Sequence, residues 1–359
     1  MARLTPTSSN TDSGGRTTSF QRNEIGPAGP GAQRSGTGRR PHLQLTALHW
    51  LVLGIAITGL AVLVFVAIWG PGMDFPAAAG RAVGRGIDGA VQWATREGAW
   101  FFDAIRNVVL SVLGNLQTAL LWIPWPAIIA GLGLLAWRLA GWRMALFSLA
   151  ALLTIGFMGL WVSAMETLAL VVTSVLLSIL IGVPLGVLAS RSSLADALMR
   201  PVLDGMQTMP SFVYLVPAIL FFSLGNVPAV IATIIYAVPP AIRFTNLGIR
   251  QVSPQVLEAA SSFGATPIQL LLKVQVPLAL PTIMAGINQT TMMALAMVVI
   301  ASLVGAGGLG EDVLRALGRQ ETGNSLIAGL SIIFIAIIID RITQGFARRQ
   351  QKAIEGSHM

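Results

Sequence analysis

The residues of this chain best suited to recognising a partner molecule are a glutamate with two alanines after it, followed by two residues that bend the backbone. Glu258-Ala259-Ala260 precedes Gly264, six residues after Glu258, and Pro277, nineteen residues after it. A carboxylate beside two small side chains can pair with an arginine or a helix N-terminus on a closely approaching surface. Glu-Ala-Ala alone is also ordinary helix-forming sequence on a solvated loop. The spacing of the whole stretch is what predicts a docking element.

The elements that would position Glu258 are two short helices joined by a bend. Ser253-Pro254 is typical of a helix start, with serine as the N-cap and proline at the first position. Gly264 permits a backbone bend, and Thr266-Pro267 predicts a second short helix. We expect this second helix to end before Pro277, where the next apolar span begins.

The composition of the chain indicates a membrane protein. Of its 359 residues, 54% are hydrophobic and 11% are charged, whereas soluble domains carry about 25% charged residues. The absence of cysteine excludes disulfides and thiolate metal sites, and the three histidines are too scattered for a metal cluster. The net charge of +8 comes from basic residues beside apolar spans, so it is no nucleic-acid signal. We therefore expect no metal, cofactor or nucleic acid on this chain.

Apolar stretches of about twenty residues predict membrane-spanning helices. Eight such stretches follow one another, at roughly 45–69, 126–140, 143–163, 166–190, 207–224, 227–247, 279–305 and 324–345. The 207–224 stretch begins with the polar run Met206-Gln207-Thr208-Met209-Pro210, so we expect it to be broken or re-entrant. The expected fold is an all-α polytopic membrane protein with about eight transmembrane helices plus an amphipathic interfacial helix.

The stretch 91–123 differs from these spans because its apolar residues recur every three or four positions. This periodicity is typical of an amphipathic helix that lies at the membrane interface or braces the spans. The predicted organisation has five parts: a disordered tail at 1–44, an extra transmembrane helix at 45–69, a loop and scaffold helix at 70–125, a transmembrane domain at 126–345 and a basic tail at 346–359. The docking loop at 253–277 lies within the transmembrane domain. The last residues of the basic tail look like a remnant of an expression vector.

Basic residues lie mainly on one side of the predicted membrane. Eleven of them fall in loops on the side of Glu258, namely Arg138, Arg143, Arg191, Arg200, Arg243, Arg250, Lys273, Arg341, Arg348, Arg349 and Lys352. The opposite side has Arg315 and Arg319, mixed with acidic residues. Because loops rich in lysine and arginine stay in the cytoplasm, we expect the Glu258 loop and the C-terminus to be cytoplasmic.

The spacing from Glu258 to Pro277 resembles a loop of ABC importer permeases in which Glu-Ala-Ala, a glycine and a final Ile-x-Leu-Pro have the same separations. Val274 and Val276 stand where that pattern has isoleucine and leucine. About half of the chain, from Trp137 to Gly310, also resembles the permease subunit of glycine betaine/proline-type osmolyte importers. The segments that carry this resemblance are 137–143, 200–204, 206–210, 245–250, 281–290 and 305–310.

The resemblance implies a type I ABC importer-like permease core that works as a homodimer in the plasma (inner) membrane of a prokaryote. It implies two ATP-binding subunits on the cytoplasmic side, which bind ATP and Mg, and an extracytoplasmic substrate-binding protein. The implied ATPase-coupling residues are Glu258, Ala259, Ala260, Gly264 and Pro277, and residues 253–277 are named the coupling segment below. The sequence has no G-x-x-x-x-G-K-[ST] phosphate loop, as expected for a transport subunit that is not itself an enzyme.

Polar and methionine side chains within the apolar spans are candidates for a solute path. They are Gln207, Thr208, Thr245, Asn246, Asn288, Gln289, Thr290 and Met293. Methionine offers an adaptable, polarizable surface, whereas the polar residues can also simply hydrogen-bond between helices, as is common in membrane bundles. The glycine-rich stretch 305–310 is expected to be flexible and external, as a turn or a short re-entrant piece.

The sequence therefore predicts the membrane-spanning permease subunit of an ATP-driven, binding-protein-dependent importer for compatible solutes, meaning glycine betaine, proline or related quaternary amines. Alternating access would move the solute, driven through the Glu258–Pro277 loop. A permease for another small polar nutrient, such as an amino acid, taurine or choline, is the nearest alternative. An ion-coupled secondary transporter would need a titrating carboxylate at mid-depth, and none is evident. A scaffold that transports nothing would leave the loop unexplained.

Overall fold

The computed structural model describes residues 47–69 and 78–356, which form helices and no strand. The all-α prediction is thus confirmed for this part of the chain, and the predicted tail at 1–44 lies outside it. The helices are α1 (Ala47–Trp69), α2 (Ala78–Glu97), α3 (Ala99–Trp122), α4 (Trp125–Ala140), α5 (Trp142–Phe157), α6 (Trp161–Arg191), α7 (Ser193–Thr208), α8 (Leu215–Phe222), α9 (Asn226–Arg250), α10 (Pro254–Ser262), α11 (Pro267–Ala296), α12 (Val298–Ser302), α13 (Leu309–Gly318) and α14 (Thr322–Gly356). Helix α1 belongs to a separate compact unit from the helices after residue 77.

Five of the described helices, α3, α6, α9, α11 and α14, are long and apolar enough to cross a membrane. The α7–α8 pair is a sixth candidate, bent by 112°. The bend lies at Pro210, which has no N–H to continue a helix and adopts an extended backbone, so the chain breaks where the polar run at 206–210 predicted. The predicted number of about eight spans is not confirmed, because α4 and α5 have only 16 residues each.

The predicted amphipathic helix at 91–123 is two helices in the structure, α2 and α3, separated at Gly98. Val109 and Leu113 of α3 are 2% and 4% exposed and pack into a core that includes Ala169 and Leu170 of α6. The predicted apolar face therefore braces the bundle. Because α3 is also apolar enough to cross the membrane, its placement at the interface stays a prediction.

Helix α9 packs closely against α6 on one side and α11 on the other, at glycines that leave no room for a side chain. A Cβ atom at Gly186 of α6 would lie 2.5 Å from Cβ of Thr245, and a Cβ at Gly286 of α11 would lie 2.6 Å from Cβ of Phe244. Small residues let helix backbones approach in membranes, where packing replaces the hydrophobic effect between helices. The coupling segment joins α9 to α11 and is thus attached to this central layer.

The predicted helix end before Pro277 is wrong. Helix α11 begins at Pro267, inside the coupling segment, and continues through Pro277 to Ala296. A π-helical turn at Leu270–Gln275 directly precedes Pro277. In a π-helical turn each N–H bonds to a carbonyl five residues back instead of four. This shift occurs just before Pro277, which has no N–H to donate, so the helix continues past the proline. The second half of the coupling segment is therefore the first part of a membrane-length helix.

Helix α14 also continues beyond the predicted span at 324–345, through the described part of the predicted basic tail to Gly356. Gly345 allows this helix to approach the end of α4 closely, because a Cβ there would lie 2.4 Å from the carbonyl oxygen of Leu139.

Candidate coupling segment and solute path

Helix α10 presents Glu258 on an open surface. None of the residues 254–262, all of which the structure describes, is buried, and both Glu258 and Ala259 are exposed. Phe263, which follows α10, is 93% exposed, and Ile268 on the next helix is 69% exposed. Exposed apolar side chains and an accessible carboxylate in one short segment suit a protein partner. The spacing of Glu258, Gly264 and Pro277 identifies Glu258 in the sequence but does not identify Phe263. The sequence signal for Phe263 is that a large aromatic residue lies inside a polar loop.

Gly264 makes the bend between α10 and α11 with φ of +82°, a left-handed conformation that side chains other than glycine disfavour. A Cβ atom there would meet nothing within 4 Å, so the requirement is for the backbone angle and not for space. The bend closes with the Ala265 N–H donating to the Ala260 carbonyl at 3.2 Å. Ser253 occupies the predicted N-cap position of α10, with Pro254 at the first position, but its side chain makes no capping hydrogen bond.

Thr266 caps the start of α11 with a complete capping box. Its hydroxyl accepts from the Gln269 N–H at 3.4 Å, and its own N–H donates to the Gln269 side-chain oxygen at 2.9 Å. Two helix-end donors are thereby satisfied reciprocally, which holds the entry angle of the helix after the Gly264 bend.

We expect Thr266→Ala to weaken the start of α11 by about 1 kcal/mol, because the hydroxyl acceptor of the cap is lost. Hydrogen exchange in residues 267–275 measures this change and should be faster in the variant. Ser261→Ala is the control, since the Ser261 hydroxyl donates only within α10, to Leu257. Equal exchange in the two variants would contradict a capping role.

A buried carboxylate brings together polar side chains of α7 and α9. Asp196 of α7 is 7% exposed. It accepts from Arg200 at 2.6 Å and from the Asn246 side-chain amide at 2.8 Å, and it lies 3.5 Å from the Arg250 guanidinium. Arg250 also donates to the Asn246 side-chain oxygen at 2.8 Å and to the Ala189 carbonyl at 2.7 Å. We name Asp196, Arg200, Asn246 and Arg250 the Asp196 cluster.

The Asp196 cluster occupies both polar groups of Asn246, which the sequence proposed for the solute path. Its amide donates to Asp196 and its oxygen accepts from Arg250. In this conformation the side chain joins α7 to α9. The candidate residues taken from the sequence do not include Asp196. One sequence signal does predict an ion pair there, because Asp196 lies four residues before Arg200 in the first turn of a helix.

The remaining solute-path candidates fall into two groups. Thr245, Asn288 and Thr290, on the packed helices α9 and α11, have side-chain oxygens that are buried and make no hydrogen bond to any described residue. Gln207, Thr208 and Gln289 are exposed, and Met293 is half-buried. Buried hydroxyl and amide oxygens without partners are costly, and they are the groups that water or a polar solute would satisfy. The structure gives no distances that bring the whole set together, and its role stays a prediction.

The glycine-rich stretch 305–310 is held in a hydrogen-bonded frame and is not an open turn. The Gly225 N–H donates to the Val304 carbonyl at 2.7 Å, and the Gly307 N–H donates to the Asn226 side chain at 3.2 Å. The Leu309 N–H donates to the Thr167 hydroxyl at 2.8 Å, and a Cβ at Gly308 would lie 2.5 Å from that oxygen. The glycines therefore permit close contact with α6, where the sequence predicted flexibility.

Comparison with known proteins gives consistent matches. The family described as "Binding-protein-dependent transport system inner membrane component" matches residues 178–352. The chain is 49% identical over 266 residues to the glycine betaine/proline betaine transport system permease protein ProW of Escherichia coli K12, covering 74% of each chain. It is 46% identical over 261 residues to the glycine betaine/carnitine transport permease protein GbuB of Listeria monocytogenes, covering 70% of this chain and 93% of that one. A solved inward-facing structure of the MetNI methionine ABC transporter is 25% identical, with 53% of this chain and 95% of that chain covered and a TM-score of 0.47.

Proposed function

Because this chain belongs to the osmolyte branch of the inner membrane components of binding-protein-dependent transport systems, we propose that it imports compatible solutes of the glycine betaine type. The chain is a multi-pass inner membrane protein and the permease subunit of an ABC importer, and it is not an enzyme. It works with an ATPase on a separate chain and with a substrate-binding protein.

The proposed assembly contains two copies of this chain, two ATP-binding subunits and one type of extracytoplasmic binding protein. We place the coupling segment and the C-terminus in the cytoplasm, because the basic loops lie on that side. ATP and Mg would be bound by the partner ATPase and not by this chain. The observation that carries the proposal is the coupling segment, whose exposed Glu258 and Phe263 lie between α9 and α11, two helices of the central layer.

The proposed solute class rests on relatives and on the chemistry of the spans. Two relatives covered for most of their length have names that specify glycine betaine with proline betaine or carnitine. These are zwitterions with a permanently cationic head, whose passage needs no proton relay. The buried oxygens of Thr245, Asn288 and Thr290, which no other described residue hydrogen-bonds, offer polar groups on α9 and α11, and the half-buried Met293 offers an adaptable surface.

The proposed mechanism is alternating access. Binding of ATP would close the motor pair, and the coupling segment would move with it. Since α10 lies between α9 and α11, movement of α10 would tilt these two helices and open the solute path to the opposite side. Hydrolysis would return the path to the inward-facing state.

Uptake by cells tests the solute class. A strain that lacks betaine uptake would express this chain with its ATPase and binding-protein subunits, and uptake of radiolabelled glycine betaine would be measured at high osmolarity. We expect uptake that unlabelled proline betaine or carnitine inhibits and that taurine or methionine does not. No uptake of betaine, together with uptake of a radiolabelled amino acid or of radiolabelled taurine by the same cells, would contradict the proposed solute class and favour another small polar nutrient.

A further inference from the structure

The coupling segment and the end of α9 that leads into it are hydrogen-bonded to the same end of α6. Before the segment, the Arg250 guanidinium donates to the carbonyl of Ala189 at 2.7 Å. At its second half, Arg191 donates to the Pro267 carbonyl at 3.2 Å and to the Gln275 side-chain oxygen at 3.3 Å. The last turn of α6 therefore contacts the chain on either side of α10.

Two of the three acceptors in these contacts with α6 belong to buried residues, whereas Pro267 is exposed. Ala189 is 1% exposed and Gln275 is 8% exposed. Arg250 is itself held by the Asp196 cluster, with Asp196 at 3.5 Å and Asn246 at 2.8 Å. Hydrogen bonds from a charged donor to buried acceptors are stronger than neutral ones and tolerate little displacement. The contact is thus suited to transmit movement.

The opposite end of α6 holds the 305–310 stretch. Thr167 accepts from the Leu309 N–H at 2.8 Å, and Gly308 packs directly on the Thr167 hydroxyl. The neighbouring Glu166 accepts from Gln117 of α3 at 3.0 Å. Helix α6 runs without interruption from Trp161 to Arg191, so one helix is bonded to the coupling segment at one end and to the glycine-rich stretch at the other.

We propose that two positioning residues make this connection, Arg191 by fastening the coupling segment to α6 and Arg250 by fastening to α6 the end of α9 that leads into the segment, and that α6 transmits the state of the motor to the 305–310 stretch. This inference rests on the proposed function, because it assigns a route between the partner ATPase and the opposite face. The segment cannot move as a unit unless α6 follows it or these hydrogen bonds break. If these hydrogen bonds are lost, we expect ATP to be hydrolysed without solute being transported. The reason is that coupling requires the state of one site to change the free energy of the other.

The decisive readout is the amount of solute moved per ATP hydrolysed by the full complex in proteoliposomes. We expect this ratio to fall about tenfold in Arg191→Ala and in Arg250→Ala, the size of effect that losing a charged hydrogen bond produces, while ATP hydrolysis continues. Arg191→Lys keeps the positive charge but loses the planar guanidinium that donates to two acceptors. Its ratio of solute moved to ATP hydrolysed should therefore lie between those of the unmodified chain and Arg191→Ala. Arg243→Ala is the matched control, because its ion pair with Asp204 at 2.5 Å joins α7 to α9 and not α6 to the coupling segment.

The other end of α6 gives a second readout. Thr167→Val keeps the shape of the side chain but removes the acceptor of the Leu309 N–H. We expect basal ATP hydrolysis to be unchanged and its stimulation by the loaded binding protein to be lost. Normal stimulation in Thr167→Val, or the same fall in ratio for Arg243→Ala as for Arg191→Ala, would overturn the proposed route.

Hydrogen exchange of the purified chain tests the fastening without any transport. Arg191→Ala should raise exchange in residues 267–275, whereas Arg243→Ala should leave it unchanged. Unchanged exchange in both variants would overturn the fastening even if the complex transports betaine. Raised exchange in a chain that transports no betaine would support the fastening and contradict only the proposed solute. If Arg191→Ala does not fold, Arg191→Lys replaces it in both measurements.

Discussion

Glu258→Lys is expected to abolish solute uptake while the chain remains in the membrane. Glu258 is exposed on α10, a helix with no buried residue, so the substitution removes no packing from the fold. A reversed charge at a protein interface leaves the partner's cation facing another cation, which costs several kcal/mol, and we expect uptake to fall roughly a hundredfold. Radiolabelled betaine uptake measures the loss, and immunoblotting of membranes measures the amount of protein.

Glu97→Lys is the matched control for this prediction, because it makes the same change of charge at an exposed glutamate, at the end of α2. It should leave uptake close to that of the unmodified chain. Full uptake by Glu258→Lys would remove Glu258 from the contact with the motor. Equal loss in both variants would show that the effect comes from net charge and not from the coupling segment.

Gly186→Leu is expected to prevent stable folding of the central layer. Even a Cβ atom at this position would lie 2.5 Å from Cβ of Thr245 and 2.7 Å from the backbone carbonyl oxygen of Ile242, so helices α6 and α9 would have to separate. Overpacking of a well-packed core typically costs about 1–3 kcal/mol and occasionally more. A leucine side chain here would press against a helix backbone that cannot move aside. We therefore expect the free energy of unfolding to fall by about 3 kcal/mol or more.

Thermal denaturation of the detergent-solubilised chain measures this effect. Gly131→Leu is the control, since Gly131 lies within the apolar helix α4 and a Cβ there would meet nothing within 4 Å. The control should denature near the temperature of the unmodified chain, whereas Gly186→Leu should denature much lower or fail to accumulate. Similar denaturation temperatures for both variants would contradict the close contact between α6 and α9.

The local backbone structure of residues 253–267 could be predicted from the sequence because its signals are local. Glu258, Gly264 and Thr266 lie within nine residues of one another, and each acts through the backbone or surface nearest to it. The structure gives Gly264 a positive φ and Thr266 a capping box, for which these residue types are suited. The break at Pro210 was predictable for the same reason.

The Asp196 cluster could not be assembled from the sequence, because its partners are distant in the chain. Asp196 and Asn246 are 50 residues apart. The same holds outside the cluster for Arg191 and Gln275, which are hydrogen-bonded although 84 residues apart. Asn246 therefore looked like an unpartnered polar residue in an apolar span, although in the folded chain both of its polar groups are used. Such contacts follow from helix packing, which residue spacing does not reveal.

The predicted number of about eight spans is not confirmed, because hydropathy reports composition and not helix ends. The stretches at 126–140 and 143–163 are mostly apolar, yet α4 and α5 have 16 residues each and are separated at Gly141, with φ of +97°. At Pro277 the presence of proline predicts a helix end, but the preceding π-helical turn lets α11 continue.

The central claim is that this chain moves a compatible solute when a partner chain hydrolyses ATP. Its most direct test is uptake of radiolabelled glycine betaine by proteoliposomes that contain the permease, the ATPase and the binding protein, with ionophores present to dissipate every ion gradient. We expect uptake that requires ATP and the binding protein and that disappears when the permease is omitted. Uptake that needs an ion gradient and proceeds without ATP would contradict the account.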